Sequence, residues 1–247
     1  MLPLFKSHYS IGKSILRLDL DSFKSDSESN IFSILSKHKI ANLVLVEDTM
    51  TGFLEAYKNA TELSINLIFG LRISLHSGDV NDSHKAILFA KSPEGFQRLN
   101  KIFTYYNLDH NNCIDYKTLK SNWLPEDLNM AIPFYDSFVF ENFLNFKNCI
   151  PDFSFCDPIF FTENNMLPFD VVVNEIIAEY CSKYNYKTIS TKSIFYNKKS
   201  DFNAYQTYKC ICNRSFSKNG RTLENPNLDH CASDQFSFES YLENESS

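Results

Sequence analysis

The feature that most constrains the fold is the alternation of short apolar runs with longer amphipathic segments. Nearly continuous apolar runs lie at 41–46, 65–69 and 86–90, and a further strand is predicted at 187–191. Apolar side chains recur at the three- and four-residue spacing of a helix at 29–38, 52–63 and 170–184. Short runs that are apolar on both faces are typical of parallel strands covered on both sides. The pattern therefore predicts an α/β fold with mainly parallel strands, in an open sheet or a closed barrel.

Local signals add further elements to this outline. Ser27 or Ser29 is predicted to cap the helix at 29–38, and Ser92, followed by Pro93 and Glu94, is predicted to start another helix. The remaining predictions are strands at 137–140 and 158–161, a helix from about 200 to 213, and a polar insertion at 107–126. We predict one domain over 1–243 and a frayed tail at 244–247.

Composition excludes several classes of protein. The 247 residues carry a net charge of −6, which argues against a generally basic nucleic-acid-coating protein and for weak or no direct nucleic-acid binding. No apolar run has the length of a signal peptide or a membrane span, so we expect a cytoplasmic protein without membrane contact. The seven cysteines are an odd number and several have apolar neighbours, which favours buried, reduced thiols.

Two pairs of residues suggest zinc by their spacing alone: Cys210 with Cys212, and His230 with Cys231. The first pair falls in a predicted helix, where side chains two residues apart point about 200° apart. Such side chains cannot bind one ion together, so we predict no zinc site here.

Several stretches resemble one family in order and spacing. The most specific is Ala90–Phe96, and the others are Ser7–Ser10, Leu43–Tyr57, Ile65–Gly70, Thr188–Tyr196, Asp201–Tyr205 and Phe236–Leu242. Together they resemble the N-terminal PHP (polymerase and histidinol phosphatase) domain of the bacterial DNA polymerase III alpha subunit, over nearly the whole chain. The resemblance implies a distorted (β/α)7 barrel. In active members, a metal site at the carboxyl ends of the strands hydrolyses phosphate esters.

The same resemblance places the metal ligands on residues that mostly cannot bind metal. The first motif falls on Leu4 and Lys6, and the next on Glu47 and Asp48 in a shifted register. The later positions are Arg72, Lys85 with His84 beside it, and the run Lys192 to Phe195. A cation at a ligand position repels a divalent ion directly. We therefore expect no catalytic residues, no bound metal and no cofactor, with Lys6, Arg72 and Lys192 clustered at the mouth of the barrel.

Three interpretations remain open. The first is a catalytically degenerate domain that acts as a scaffold in DNA replication and binds replication proteins, or an anion, without turnover. The second is a 3′–5′ exonuclease or phosphoesterase that binds Mn²⁺ or Zn²⁺ through a reduced set of ligands: His8, Glu47, Asp48 and His84. The third is the N-terminal part of a polymerase whose palm is encoded separately. The simpler interpretation of His8 is an ordinary loop histidine, and that of Glu47 and Asp48 is an acidic turn before the helix at Gly52.

Overall fold

The computed structural model describes residues 1–25, 27–109, 112–212 and 233–246. Its strands are β1 (Leu2–Phe5), β2 (Asn42–Glu47), β3 (Asn66–His76), β4 (His84–Ala90), β5 (Ile114–Asp115), β6 (Leu128–Ile132), β7 (Ile159–Thr162) and β8 (Lys187–Ile194). Its α-helices are α1 (Leu20–Lys24), α2 (Ile31–Lys37), α3 (Phe53–Glu62), α4 (Pro93–Thr104), α5 (Tyr116–Ser121), α6 (Phe138–Leu144), α7 (Asp170–Tyr184), α8 (Phe202–Cys212) and α9 (Phe238–Ser246). The α/β class is confirmed.

The contacts divide the chain into two compact units. The first unit comprises Met1–Ile68, Asn164–Asp170 and Thr191–Ser247, and the second comprises Phe69–Glu163 and Val171–Ser190, within the described ranges. The prediction of one domain over 1–243, like that of a (β/α)7 barrel, stays a prediction.

In the first unit, β1 lies between β2 and the carboxyl-terminal half of β8, and both pairings are parallel. Here the sequence prediction of parallel strands is confirmed. The predicted cap of α2 is wrong: Asn30, rather than Ser27 or Ser29, accepts a hydrogen bond from the Ser33 N–H at 3.1 Å. Large apolar side chains are completely buried in this core, among them Phe5, Leu16, Leu18, Ile31 and Phe32.

The second unit has a mixed sheet, so the prediction of mainly parallel strands is wrong for this part of the chain. The strand β4 pairs antiparallel with both β3 and β6, whereas β6–β7, β7–β8 and β3–β5 are parallel. The strand β3 also continues to His76, far beyond the predicted end at residue 69. Its second half alternates buried Leu71, Ile73 and Leu75 with polar residues, which is the two-residue period of an antiparallel strand.

One further prediction of local structure in the second unit is wrong, and another segment has more regular structure than its sequence indicated. The predicted strand at 137–140 lies in the helix α6, because the Ser137 hydroxyl caps the helix by accepting from the Phe140 N–H at 3.2 Å. The predicted insertion at 107–126 contains β5 and α5, and the Asp115 carboxylate caps α5 by accepting from the Thr118 N–H at 2.6 Å. Capping groups outweighed the weak apolar pattern at both positions.

Residues near the two ends of the described chain form regular structure and contact each other. The helix α9 includes residues 244–246 of the predicted frayed tail, and its Glu245 lies 2.7 Å from the amino group of Met1. The predicted helix at 200–213 is α8, preceded by a 3-10 turn at Lys199–Asp201, and residue 213 lies outside the described residues. No helix within the described ranges combines the length and apolar character needed to span a membrane.

The start of α4 explains the glycine in the most specific motif. The Ser92 hydroxyl accepts from the Gly95 N–H at 2.9 Å, as predicted, and Pro93 occupies the first turn. A Cβ atom on Gly95 would overlap the carbonyl oxygen of Asp127. Asp127 is itself held by Arg98, whose Nε donates to its carboxylate at 3.1 Å. Only glycine allows the helix and this turn to approach so closely.

We expect Gly95→Ala to lower the free energy of unfolding by about 2 kcal/mol, because backbone rather than a flexible side chain would have to move. A urea titration measures the change. The matched control is Gly78→Ala, since a Cβ atom at Gly78 meets nothing within 4 Å. Equal stability of the two variants would contradict this packing argument.

Candidate functional site

The candidate site in the first unit lies at the carboxyl end of β1. Leu4 pairs with Ser193 of β8, and the Lys6 N–H donates to the Ile194 carbonyl at 3.3 Å. Side chains alternate along a strand, so Leu4 and Ser193 lie on the same face of the sheet, and Lys6 and Phe195 closely follow them in the chain. Four positions that the sequence assigned to the metal-ligand motifs thus lie at or beside the paired ends of β1 and β8.

Lys192 does not lie on this face. Its pairing partner in β1 is Pro3, so its side chain lies on the face of Pro3 and Phe5, opposite to that of Leu4 and Ser193. Lys192 is buried, with 1% of its surface exposed. The cluster of Lys6 with Lys192 stays a prediction. Sequence spacing alone did not reveal the face, because the face depends on the register between β1 and β8.

Lys6 forms a largely buried ion pair with Asp48, which follows β2. The Lys6 Nζ lies 3.0 Å from the Asp48 Oδ2, and the two side chains are 8% and 26% exposed. The ammonium group compensates the carboxylate charge in the way that a bound cation would. Asp48 is therefore engaged by the protein itself.

Glu47, the other acidic residue predicted here, is fully buried in a hydrogen-bond network. One carboxylate oxygen accepts from the Ser7 N–H at 2.8 Å, and the other accepts from the Ser10 hydroxyl. The Ser10 oxygen in turn accepts from the Asp48 N–H at 3.0 Å. Burial raises the pKa of Glu47, while the charge of Lys6 and the hydrogen bonds from the two serines oppose that rise. This network joins the ends of β1 and β2.

His8 is the ligand candidate whose ring keeps an unused nitrogen. Its Nδ1 atom is buried and makes no hydrogen bond in the described part of the chain. The ring lies 4.4 Å from that of Tyr9, measured between centroids. The Tyr9 hydroxyl donates to Glu55 at 2.6 Å, and this bond raises the pKa of Tyr9 to about 12. His8 thus lies beside the Lys6 segment with one ring nitrogen that can bind a ligand.

Phe195 fills its position with apolar packing. Its ring stacks on Phe236 and Tyr205, with centroid separations of 5.4 and 5.8 Å. Lys209 of α8 lies above the other aromatic partner, with its Nζ 5.8 Å from the Tyr205 ring centroid, and is itself buried. A phenylalanine in an aromatic stack provides no donor atom for a metal.

Sequence reasoning missed three participants in this site: Ser7, Ser10 and Lys209. Ser7 and Ser10 lie in one of the motifs that carried the resemblance, but a serine that holds a buried carboxylate has no spacing signature. Nothing in the sequence of α8 distinguishes Lys209 from an ordinary exposed lysine on a surface helix. Its burial follows from where α8 lies in the first unit, which a helical period cannot reveal.

The second unit contains the other two cationic positions. Arg72 of β3 donates to the Asp136 carboxylate at 2.5 Å and to the Tyr135 carbonyl at 3.3 Å. Lys85 of β4 pairs with Ser74 across the strands and donates to its hydroxyl at 2.6 Å. Arg72 and Ser74 are two residues apart in β3 and therefore lie on the same face of the sheet. Because Lys85 pairs with Ser74, the two cations share that face.

His84 is a structural residue of the second unit. Its ring is buried between β4 and α5, where Nε2 lies 2.9 Å from the Tyr116 hydroxyl and Nδ1 lies 3.2 Å from the Lys85 carbonyl. Burial lowers the pKa of His84 to about 4, so the ring is neutral at physiological pH. Both ring nitrogens already have partners within the unit.

The residues present do not fit a bound metal ion. Lys6 and Phe195 offer no atom that binds a metal ion, Asp48 and Glu47 are engaged by Lys6 and the serines, and His84 uses both nitrogens. Within the described ranges, no group of three or more histidine, cysteine or acidic side chains is arranged to hold a metal. Cys210 and Cys212 lie on α8, as predicted, while His230, Cys231 and His110 lie outside the described residues.

Comparison with known protein families gives a match over part of the chain. A PHP domain is found at residues 25–132, by a match to the model of that family. The matched segment runs from the residues before α2 to the end of β6, and it includes Glu47, Asp48, Arg72, His84 and Lys85. No curated protein matches the chain.

Proposed function

We propose that this protein is a catalytically degenerate PHP domain that acts as a scaffold or interaction module in DNA replication. The observation that carries the proposal is the Lys6–Asp48 ion pair, on the face where the resemblance to PHP domains expects metal ligands. The buried ammonium group of Lys6 forms an ion pair with the Asp48 carboxylate, which a divalent ion would need as a ligand. Its charge also repels such an ion.

Phosphate-ester hydrolysis by this class of site requires metal ions that activate water and stabilise the leaving oxygen. Those ions are held by carboxylates and imidazoles that are deprotonated and available. Here the two carboxylates are engaged, and aromatic packing surrounds Phe195. The arrangement favours a binding role without turnover.

The assignment to replication rests on the resemblance to the polymerase III alpha subunit. Its most specific part, Ala90–Phe96, forms the capped start of α4, and the contact with Asp127 gives its glycine a packing role. Copurification of a separately encoded palm chain from the native host would favour the split-polymerase interpretation over a scaffold that acts alone.

The unused Nδ1 atom of His8 favours one alternative, a phosphoesterase or exonuclease with a reduced site for Mn²⁺ or Zn²⁺. In this alternative His8 and Asp48 would hold the ion, with Lys6 displaced from the carboxylate. The competition between the ammonium group and the ion makes such binding weak.

The decisive experiment is hydrolysis of single-stranded DNA and of p-nitrophenyl phosphate with excess Mn²⁺ or Zn²⁺. We expect no turnover above the buffer rate and no change in melting temperature on adding metal, because no set of available ligands holds the ion. Metal-dependent turnover that is lost in His8→Ala, and kept in the control His38→Ala, would overturn the degenerate scaffold. His38 suits the control because it ends α2 with an exposed side chain.

A further inference from the structure

Phe146 of the second unit is placed unusually for an apolar side chain. It follows α6, its φ is 52°, and 91% of its surface is exposed. A left-handed residue after a helix end is usually glycine or asparagine, and a bulky side chain there costs conformational energy. Among the described residues with positive φ, the others are Lys39, Ser64, Asn112, Asp136, Met166, Asn185 and Gly12, so Phe146 is the aromatic one. Folding gains nothing from this exposed ring.

The turn that carries Phe146 is held firmly on both sides. Before it, the Asn145 N–H donates to the Glu141 carbonyl at 3.0 Å, and after it the Lys147 Nζ lies 2.8 Å from the Glu141 carboxylate. The Cys149 N–H then donates to the Asn142 side chain at 2.7 Å. Such a turn holds the backbone of Phe146 in one conformation, which lowers the entropy cost of binding.

A second loop that carries an exposed apolar residue is joined to the loop of Phe146. The Asn148 N–H donates to the Asp82 carboxylate at 3.0 Å, and the Ser77 hydroxyl donates to the Ile150 carbonyl. These bonds join the loops at 77–83 and 145–150, on which Val80 is 57% and Ile150 is 61% exposed. We name Val80, Phe146 and Ile150 the Phe146 patch.

The charge around the Phe146 patch is acidic. Asp79 and Asp82 lie in the loop that carries Val80. The nearby cation, Lys147, is neutralised by Glu141, and its Nζ also donates to the Ser83 carbonyl at 3.2 Å. An acidic border repels a second copy of the same patch and attracts a basic one.

We infer that the Phe146 patch docks a partner protein, with the Phe146 ring inserted into an apolar pocket bordered by lysine or arginine side chains. Exposed aromatic side chains on an ordered turn are typical anchors of protein interfaces. The inference concerns the second unit and does not depend on whether the candidate site in the first unit hydrolyses phosphate esters.

The test replaces Phe146 with the photo-crosslinking residue p-benzoylphenylalanine in the full chain, in an extract of the native host. Met166 is the matched control position, because it is also apolar, 78% exposed and at positive φ. The protein captured at position 146 is then purified and titrated with the unmodified chain and with Phe146→Gly. We expect capture at 146 and not at 166, and binding weakened about 30-fold by Phe146→Gly.

Two further readouts separate an anchor from a structural role. Phe146→Gly should leave the melting temperature unchanged or higher, since glycine accepts the positive φ without strain. Binding of the purified partner should weaken as salt concentration rises, because opposite charges border the interface. Capture of a second copy of this chain, no capture at position 146, or unchanged binding by Phe146→Gly would each overturn the inference.

Discussion

Replacing Asp48 with alanine is expected to lower the free energy of unfolding by about 3 kcal/mol. The change leaves the Lys6 ammonium group buried, with 8% of the side chain exposed and without its carboxylate partner. Removing one member of a buried ion pair is costly because the remaining charge loses both water and its counter-ion. Chemical denaturation of the full chain at neutral pH measures the effect.

The control for this prediction is the opposite half of the pair, Lys6→Met. We expect a smaller loss, about 1 kcal/mol, because Asp48 remains 26% exposed and can be hydrated. The double variant should lose less than the sum of the two single variants, since methionine removes the charge that Asp48→Ala leaves unpaired. Additive effects would show that the ion pair contributes nothing to stability.

Acidification should destabilise the fold through His84. Its pKa is lowered to about 4 in the folded protein by burial, against the ordinary value of 6.5. His84 therefore binds a proton below about pH 6.5 in the unfolded chain, but only below about pH 4 in the folded chain. The part of the free energy of unfolding that depends on the neutral His84 ring is fully present above pH 6.5, decreases as the pH falls, and is lost at about pH 4. The difference amounts to about 3 kcal/mol at 1.36 kcal/mol per pKa unit.

Unfolding titrations of the unmodified chain and of three variants, each at several pH values between 7 and 4, test this prediction. His84→Phe should remove most of the pH dependence in this window, whereas Tyr116→Phe should keep it while costing about 1 kcal/mol for the lost hydrogen bond. His76→Gln, at the end of β3, is the control that should follow the unmodified chain. An identical pH profile for His84→Phe and the unmodified chain would contradict the role of burial.

Much of the secondary structure follows from local signals in the sequence. The start of α4 was predicted residue by residue, because a serine cap, a proline in the first turn and the following apolar period all act within a few residues. The helices α2, α3 and α7 were found by their period, and the strands β2 and β7 by their apolar runs. The strand predicted at 137–140 was wrong because a run of aromatic residues has no clear period, and a hydroxyl cap decided in favour of a helix.

Strand direction was beyond the reach of these signals. Parallel and antiparallel strands of the second unit have similar apolar content, and the alternation in the second half of β3 was the one local indication that β3 and β4 are antiparallel. The Lys192 face was likewise fixed by the pairing of Pro3 with Lys192. A shift of one residue in that register would have turned the side chain to the other face.

By itself, the sequence determined which residue types stand at the candidate site: cations and a phenylalanine where the resemblance expects metal ligands. Tertiary structure alone decided how those residues are used. It placed the Lys6 ammonium group 3.0 Å from Asp48 and enclosed Glu47 among backbone and hydroxyl donors. The physical reason is that residue identity is local, whereas burial, ion pairing and pKa depend on groups that the fold brings together from distant parts of the chain.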